Sequence, residues 1–381
     1  MDFMLSKKHQ MFQKMYREFA ENEVKPLAQE LDEMERFPKE TVPKMAALGM
    51  MGIPFAQKYG GAGADNLAYA MCVEELAKVC ATTSVVVAAH TSLCSYPIYA
   101  FGTEEQKMKY MPDLAAGRKI GAFGLTEPGA GSDAAGQQTM AVKEGDHYIL
   151  NGMKCFITNA SEADTFVVFA MTDKTKGNHG ITAFVLEKGM KGFSIGKHEK
   201  KMGIRGSATC DLIFEDVEVP VENMLGKEGK GFSVAMGTLN GGRYGVAAQA
   251  LGIAEGALNE VVKYTKERVQ FGKRISQFQN TKFEIAEMKA KCDAAQLLVY
   301  RAAVAKDMND PNAGMYSAIA KLIASQTASD VTRRVVQLFG GYGYIREYGV
   351  ERMMRDAKIT EIYEGTSEVQ KMVIAGAMGV K

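Results

Sequence analysis

Four short segments carry the residues whose types and spacing suit chemistry. The first is Leu125-Thr126-Glu127-Pro128-Gly129-Ala130-Gly131-Ser132-Asp133. Its glycines permit close approach, and its hydroxyls, Thr126 and Ser132, can meet a polar heterocycle or a phosphate. Gly129, Gly131 and Ala134 formally satisfy the dinucleotide fingerprint GxGxx(G/A). That reading fails on context: the fingerprint needs a helix directly afterwards, whereas Gly136 and the alternating stretch 139–142 lead into strands. The second segment, residues 268–279, sets Arg268, Arg274 and Gln279 around Phe271 and Gly272 at a helix junction, an arrangement suited to a diphosphate. The third runs Gln337-Leu338-Phe339-Gly340-Gly341-Tyr342-Gly343-Tyr344, three glycines with tyrosines, which lets backbone approach a flat ligand. The fourth is Tyr363-Glu364-Gly365-Thr366-Ser367-Glu368; Ser367 with Gln370 fits a capping box, so Glu364 stands on a short loop near a positive helix end. Taken singly, each also fits a bland structural role: a tight turn, a solvated basic loop, a helix C-cap, an exposed glutamate before a helix.

The elements that must position these segments follow from hydrophobic periodicity. From about residue 5 to 118, apolar residues such as Met45 and Leu48, then Leu67, Ala70, Val73, Leu76 and Cys80, recur at helical intervals. From 119 to 225 the period falls to two. There Asn151-Gly152, flanked by apolar runs, predicts a type I′ hairpin turn, and residues 165–170, 181–186 and 210–219 predict further strands. After residue 226 long helical segments return, at 246–267, 282–307 and 313–339. The expectation is therefore three domains, 1–118 helical, 119–225 β and 226–381 helical, with ligand-binding crevices at their junctions.

Composition narrows the function classes. The chain has 381 residues, 46% hydrophobic and 24% charged, ordinary globular usage with ample length for a large core. Its 46 basic residues against 45 acidic ones leave a net charge of +1, so no bulk field draws it to nucleic acid or an anionic membrane. No apolar run is long enough to span a bilayer. The six cysteines form no CxxC pair and the five histidines no HExxH, which favours free thiols in a reducing compartment and signals no metal site. The acidic N-terminal stretch with Glu18, Glu21 and Glu23 is unlike a transit peptide, which leads to an expectation of bacterial cytoplasm, or of a leader already removed.

In this order and at these separations, the four segments resemble the acyl-CoA dehydrogenase family of flavoenzymes, over residues 5–380. The likeness is greatest to its short-chain, butyryl-CoA type from anaerobic bacteria. The resemblance implies a multidomain α+β fold: an α-helical N-terminal domain, a central β-barrel-like domain and a C-terminal four-helix bundle. It implies FAD and a homotetramer. By that likeness Phe123, Leu125, Thr126, Gly131 and Ser132, with Phe156, Ile157 and Thr158, line the isoalloxazine ring, and Thr126 and Thr158 bond its polar edge. Phe156 stands where many relatives have tryptophan. Arg268, Phe271 and Gln279, with Gln337, Leu338, Phe339, Gly340 and Gly341, reach the FAD of a neighbouring subunit, and Thr366, Ser367 and Glu368 complete the pocket. Ser132, Asn240, Gly241, Gly242, Arg243 and Gly365 match substrate positions, Asn240 replacing the aspartate of many relatives. One branch of the family takes its base from the residue before this arginine; here that is Gly242, which cannot accept a proton, so the resemblance leaves Glu364 as the base.

The implied reaction is α,β-dehydrogenation of a short acyl-CoA, with Glu364 taking the α proton while the β hydrogen leaves as hydride to the flavin. A thioester α proton is far less acidic than a carboxylic acid, so the enolate must be stabilised as it forms. The resemblance supplies two donors to the thioester oxygen, the Glu364 backbone N–H and a ribityl hydroxyl. Substrate binding, by expelling water, is expected to raise the Glu364 pKa above its reference of ~4.3. Electron-transferring flavoprotein is the implied acceptor. The alternatives are turnover of glutaryl-CoA or a branched acyl-CoA, an oxidase passing electrons to oxygen, and a non-catalytic acyl-CoA-binding homologue.

Overall fold

Small and apolar residues closed by polar caps build the N-terminal helices of this computed structural model, which describes residues 4–380. Helix Asn66–Ala77 opens at Asp65, whose carboxylate accepts from the Ala68 N–H at 2.8 Å, and every residue after Asn66 is buried. Helix Glu104–Ala115 starts with a capping box between Thr103 and Gln106. Leu48, expected to face inward with Met45, is instead 46% exposed. It lies beyond the end of Thr41–Ala47, where Gly49 turns the chain with φ +70°. Between helices Ala81–Ala88 and Tyr96–Phe101 the backbone widens into π-helical turns over Ala89–Ser95, a departure that rotates Ser92 and Leu93 off the regular helical face.

The central strands are β1 (Gly121–Gly124), β2 (Met140–Glu144), β3 (His147–Ile157), β4 (Thr165–Met171), β5 (Ile181–Glu187), β6 (Phe193–His198), β7 (Cys210–Pro220) and β8 (Met224–Leu225). They form one eight-stranded sheet with the path β6-β7-β3-β2-β4-β5-β8, and β1 lies parallel to β4. Its two end strands do not pair with each other, so among the described residues the barrel-like domain expected from sequence is an open sheet. Strand β4 is buried along its whole length. Val167 and Phe169 face a core shared with Phe55, in a turn, and with Tyr110 and Leu114 of helix Glu104–Ala115, while Phe166 and Val168 face a core with Leu150, Phe184 and Phe214. His90 ties the two domains: its Nδ1 accepts from the Gly121 N–H and its Nε2 donates to the Leu114 carbonyl, both at 3.0 Å. Burial holds that imidazole neutral, with its pKa down at about 4.

Asn151-Gly152 is not the hairpin turn the sequence predicts. The chain turns at Gly145, φ +61°, and β3 runs straight through Asn151 and Gly152. A bulge against β7 sits there instead: Asn151 Nδ2 donates to Asp216 Oδ1 and the Asp216 N–H returns to Asn151 Oδ1, both at 2.9 Å. A Cβ on Gly152 would come 2.7 Å from Thr139 Oγ1, so the glycine serves a close strand approach.

The C-terminal helices Gly231–Glu267, Gln279–Asp307 and Ala313–Phe339 pack together with Val350–Ile359 and Ser367–Ala377. The first begins well before the expected residue 246 because its glycines dilute the apolar period. A glycine costs up to ~1 kcal/mol in a helix interior, and farther along the same helix packing offsets that cost: Cβ atoms on Gly252 and Gly256 would lie 2.3 and 2.1 Å from the Glu74 and Lys78 carbonyl oxygens. Among the described residues no helix is long and apolar enough to cross a membrane, no acid, cysteine and histidine cluster suits a metal, and all six cysteines are buried and unpaired.

Candidate active site

Glu364 lies in the loop between helices Val350–Ile359 and Ser367–Ala377 with φ +52°, followed by Gly365 at +91°. A left-handed glutamate costs ~1–2 kcal/mol, so the surroundings must hold it. Lys321, fully buried in Ala313–Phe339, donates from Nζ to the Gly365 carbonyl at 2.7 Å. Gln370 Nε2 donates to the same carbonyl at 2.7 Å and to the Glu364 carbonyl at 3.2 Å. The helix cap is Thr366, which accepts from the Val369 N–H, rather than the predicted Ser367. Gln370 therefore turns back onto the loop instead of closing a capping box.

The Glu364 carboxyl rests over Gly242, where a Cβ would lie 2.9 Å from Oε2. Oε2 is shut off from solvent and has no hydrogen-bond partner. Burial pushes the Glu364 pKa up to about 7 against the opposing charges of Lys321 and Arg243. Arg243 is itself buried, donates to Asn240 Oδ1, and leaves Nε without a partner. Among the described residues nothing accepts from the Glu364 backbone N–H.

Glu364, Gly365 and Arg243 line a cavity of ≈ 200 Å³. Strand β1 and the loop after it contribute Phe123, Leu125, Thr126, Gly131 and Ser132; the end of β3 contributes Phe156, Ile157 and Thr158. Val85, Ala89, Leu93 and Tyr363 supply apolar and aromatic wall. A second bulge, between Lys154 and Ile157, gives Phe156 a φ of +59° and leaves its ring 63% exposed. Beneath the cavity floor Lys154, wholly buried, donates to Glu127 Oε1 at 2.7 Å, Gln137 Oε1 at 3.0 Å and the Leu125 carbonyl at 3.2 Å. Burial alone raises a carboxyl, but Lys154 and the Gln138 and Thr139 N–H groups outweigh it and hold Glu127 below the usual range. That pair registers Thr126, next to Glu127, against Phe156, two residues beyond Lys154.

The remaining residues singled out from sequence lie elsewhere. Arg268, Gln337, Leu338, Phe339, Gly340 and Gly341 line a separate cavity of ≈ 490 Å³. There the Arg268 guanidinium sits 5.0 Å over the Tyr342 ring and Tyr264 stacks on Phe339 at 4.0 Å. Phe271 is 93% exposed at the tip of a two-strand hairpin, and Gln279 opens the next helix. Thr366, Ser367 and Glu368 start their helix beside the first cavity without lining it, and Gly241 faces a smaller space beside Lys306. One chain therefore does not bring the two groups together.

Three patterns, described as the N-terminal, middle and C-terminal domains of acyl-CoA dehydrogenase, match residues 6–118, 122–217 and 229–379. The chain belongs to the acyl-CoA dehydrogenase family. It is thereby an FAD-dependent oxidoreductase. It is 62% identical to a short-chain specific acyl-CoA dehydrogenase of Clostridium acetobutylicum, across 99% of both chains. The solved butyryl-CoA dehydrogenase of Megasphaera elsdenii is 55% identical, with a TM-score of 0.97 over 99% of this chain and 100% of that one. A chain solved in work on the electron transferring flavoprotein of Acidaminococcus fermentans and flavin-based electron bifurcation is 56% identical, with a TM-score of 0.98 over 99% of each.

The residues of this acyl-CoA dehydrogenase fit a flavin. Apolar faces from Phe123, Leu125 and Ile157 alternate with hydroxyls at Thr126, Thr158 and Ser132, and Cβ atoms on Gly129 and Gly131 would meet nothing within 4 Å. Such a cradle suits a flat heteroaromatic ring with a polar edge. Sequence reasoning missed Lys321, Gln370 and the 85–93 wall. The signal for Lys321 was present: it falls between Ser317 and Ser325 on the buried stripe of its helix.

Proposed function

We propose that this acyl-CoA dehydrogenase oxidises butyryl-CoA to crotonyl-CoA, with Glu364 as the base that removes the α proton. One observation carries the assignment: among the described residues lining the cavity, Glu364 is the sole carboxyl, and its pKa of about 7 matches proton transfer near neutral pH. The chain's own packing raises that pKa before any substrate arrives, so substrate need not supply the whole shift expected from sequence. The left-handed turn leaves the Glu364 N–H without an internal partner, available to a thioester oxygen as negative charge develops there. FAD, when bound there, would supply the acceptor for the β hydrogen. Phe123, Leu125, Thr126, Gly131, Ser132, Phe156, Ile157 and Thr158 hold its ring, while Ser132, Asn240, Gly241, Gly242, Arg243 and Gly365 hold the acyl-CoA.

Short apolar acyl chains suit the wall made by Val85, Ala89, Leu93 and Tyr363. Arg243 is the sole basic side chain lining the cavity among the described residues, and it lies beside Glu364, so no second cation favours the distal carboxylate of glutaryl-CoA. The retained carboxyl argues against a non-catalytic homologue. The second cavity, with Phe271 and Gln279, serves the FAD of a neighbouring copy in a homotetramer, and Thr366, Ser367 and Glu368 border the cofactor. Electrons pass to an electron-transferring flavoprotein, and the enzyme works in a bacterial cytoplasm, a reading supported by six buried free thiols and bacterial relatives.

Glu364→Gln keeps the volume and removes proton acceptance. The purified variant is expected to stay yellow and bind acyl-CoA while butyryl-CoA bleaches its flavin slower by several orders of magnitude. Bleaching at the unmodified rate would sink the assignment. Slow reoxidation of the product-bound reduced enzyme in air separates a dehydrogenase from an oxidase.

A further inference from the structure

We propose that Lys321 is a positioning residue for Glu364: its buried ammonium, with the Gln370 amide, pins the left-handed 364–365 turn, and its positive charge faces the carboxyl that the turn presents. The proposal rests on Glu364 being the base. Three facts carry it. Lys321 is wholly buried on a helix otherwise lined with Ala320, Ala324 and Ala328, a position where an ammonium is costly unless it is paired. Among the described residues its ammonium makes one hydrogen bond, to the Gly365 carbonyl at 2.7 Å and not to a carboxylate. That carbonyl also takes the Gln370 amide at 2.7 Å, so two donors from two helices converge on the residue directly after Glu364, whose own φ is +52°.

The charges around the pair are few. Glu364 faces Lys321 from helix Ala313–Phe339 and Arg243 from helix Gly231–Glu267. Tyr69, Tyr244 and Tyr363 also lie within reach of its charge. Besides Glu364 and Arg243, Lys321 feels Glu361 and Glu368. Burial and the Glu364 charge pull the Lys321 ammonium in opposite directions, and burial wins, leaving its pKa at about 8. Lys321 and Arg243 are the cations that oppose the upward push on Glu364, so neutralising Lys321 must raise the carboxyl further.

The roles of charge and hydrogen bond separate in two variants of the FAD-loaded enzyme. Single-turnover flavin bleaching by butyryl-CoA is followed from about pH 6 to about pH 9. Lys321→Gln keeps a donor and removes the charge; the acid limb of the rate profile is expected to move up by about one pH unit or more. Gln370→Leu leaves every charge in place; bleaching is expected to slow at all pH values with the limb unmoved. A merely structural role for Lys321 would lower yield or FAD retention without moving the limb, and an unmoved limb in Lys321→Gln overturns the proposal. A limb displaced equally in Gln370→Leu overturns it as well. Glu364→Gln runs alongside: if that variant still bleaches, the base assignment itself falls, whereas loss of bleaching there with an unmoved limb in Lys321→Gln removes only the role of Lys321.

Discussion

An ionised Glu364 weakens the fold that holds it, and the size of that cost can be worked out. An ordinary glutamate titrates near 4.5 and this one at about 7. At ~1.4 kcal/mol per pH unit, keeping it charged in the folded state costs about 3 kcal/mol. The folded-state value lies above the unfolded one, so the cost is absent below about 4.5, grows as pH rises, and is complete above about 7. Glu364→Gln removes it. With an unfolding entropy of about 2.1 cal/mol/K per residue over 381 residues, 1 kcal/mol corresponds to about 1.2 °C. The holoenzyme variant is therefore expected to melt about 4 °C above the parent near pH 8.5 and about level with it near pH 5. Calorimetric scans of both proteins at the two pH values decide the matter. An equal gain at both, or a larger gain in acid, would mean that burial does not raise this carboxyl. A stable but inactive variant is what a functional site under electrostatic strain should give.

Two further expectations concern Gly242, which lies against that carboxyl, and Lys154, which pairs with Glu127. Gly242→Ala places a Cβ where Glu364 Oε2 now lies 2.9 Å away, so the carboxyl must shift by a few tenths of an ångström. Bleaching by butyryl-CoA should slow roughly tenfold with FAD content unchanged, and an unaltered rate would show that the carboxyl tolerates the displacement. Lys154→Met strands the Glu127 carboxylate beneath the flavin cradle, at a cost of about 3–5 kcal/mol. Thermal midpoint and FAD retention should fall together, and Glu127→Gln in the same chain should recover part of both; a double variant worse than the single one would contradict a paired-charge explanation.

The sequence displays some of this plainly and conceals the rest for identifiable reasons. Helix Ala313–Phe339 matched its predicted span because small and apolar residues recur along its buried face, with Lys321 and Arg334 the charged exceptions. Helix Gly231–Glu267 did not, because Gly237, Gly241, Gly242 and Gly245 erase the apolar period over the turns before residue 246. Asn151-Gly152 has the composition of a turn and the structure of a bulge, since a pairing with Asp216 one strand away competes for the same backbone. Among the candidate site residues, Thr126, Ser132 and Glu364 stand in motifs, whereas Phe156 was singled out only through the family resemblance. Lys321 stands in no motif: its place on the buried stripe marks it as inward-facing, but the carbonyl it meets lies in a loop more than forty residues away. The separation of Arg268 and Gln337 from the first cavity follows from tertiary placement, which spacing along the chain does not encode.

The location of the Glu364 carboxyl depends on side chains that helix Gly231–Glu267 lacks. Gly242 and Gly245 are three apart and so share one face of that helix. Over Gly242 lie Glu364 Oε2 and Ser92 Oγ, where a Cβ would come 2.9 and 3.4 Å from them; over Gly245 lies the Tyr69 hydroxyl, at 2.7 Å by the same measure. Tyr69 and Ser92 both donate to the Ala88 carbonyl, at 3.4 and 2.7 Å, where the N-terminal helices change to π-helical turns. Four elements from two ends of the chain thus meet on a strip of bare backbone, and each limits how the others approach. The carboxyl is held from one side by that strip and from the other by the Lys321 and Gln370 donors to its own loop. A carboxyl held between two such surfaces forgoes the solvent that would ionise it freely, and its raised pKa is the direct physical consequence of that placement.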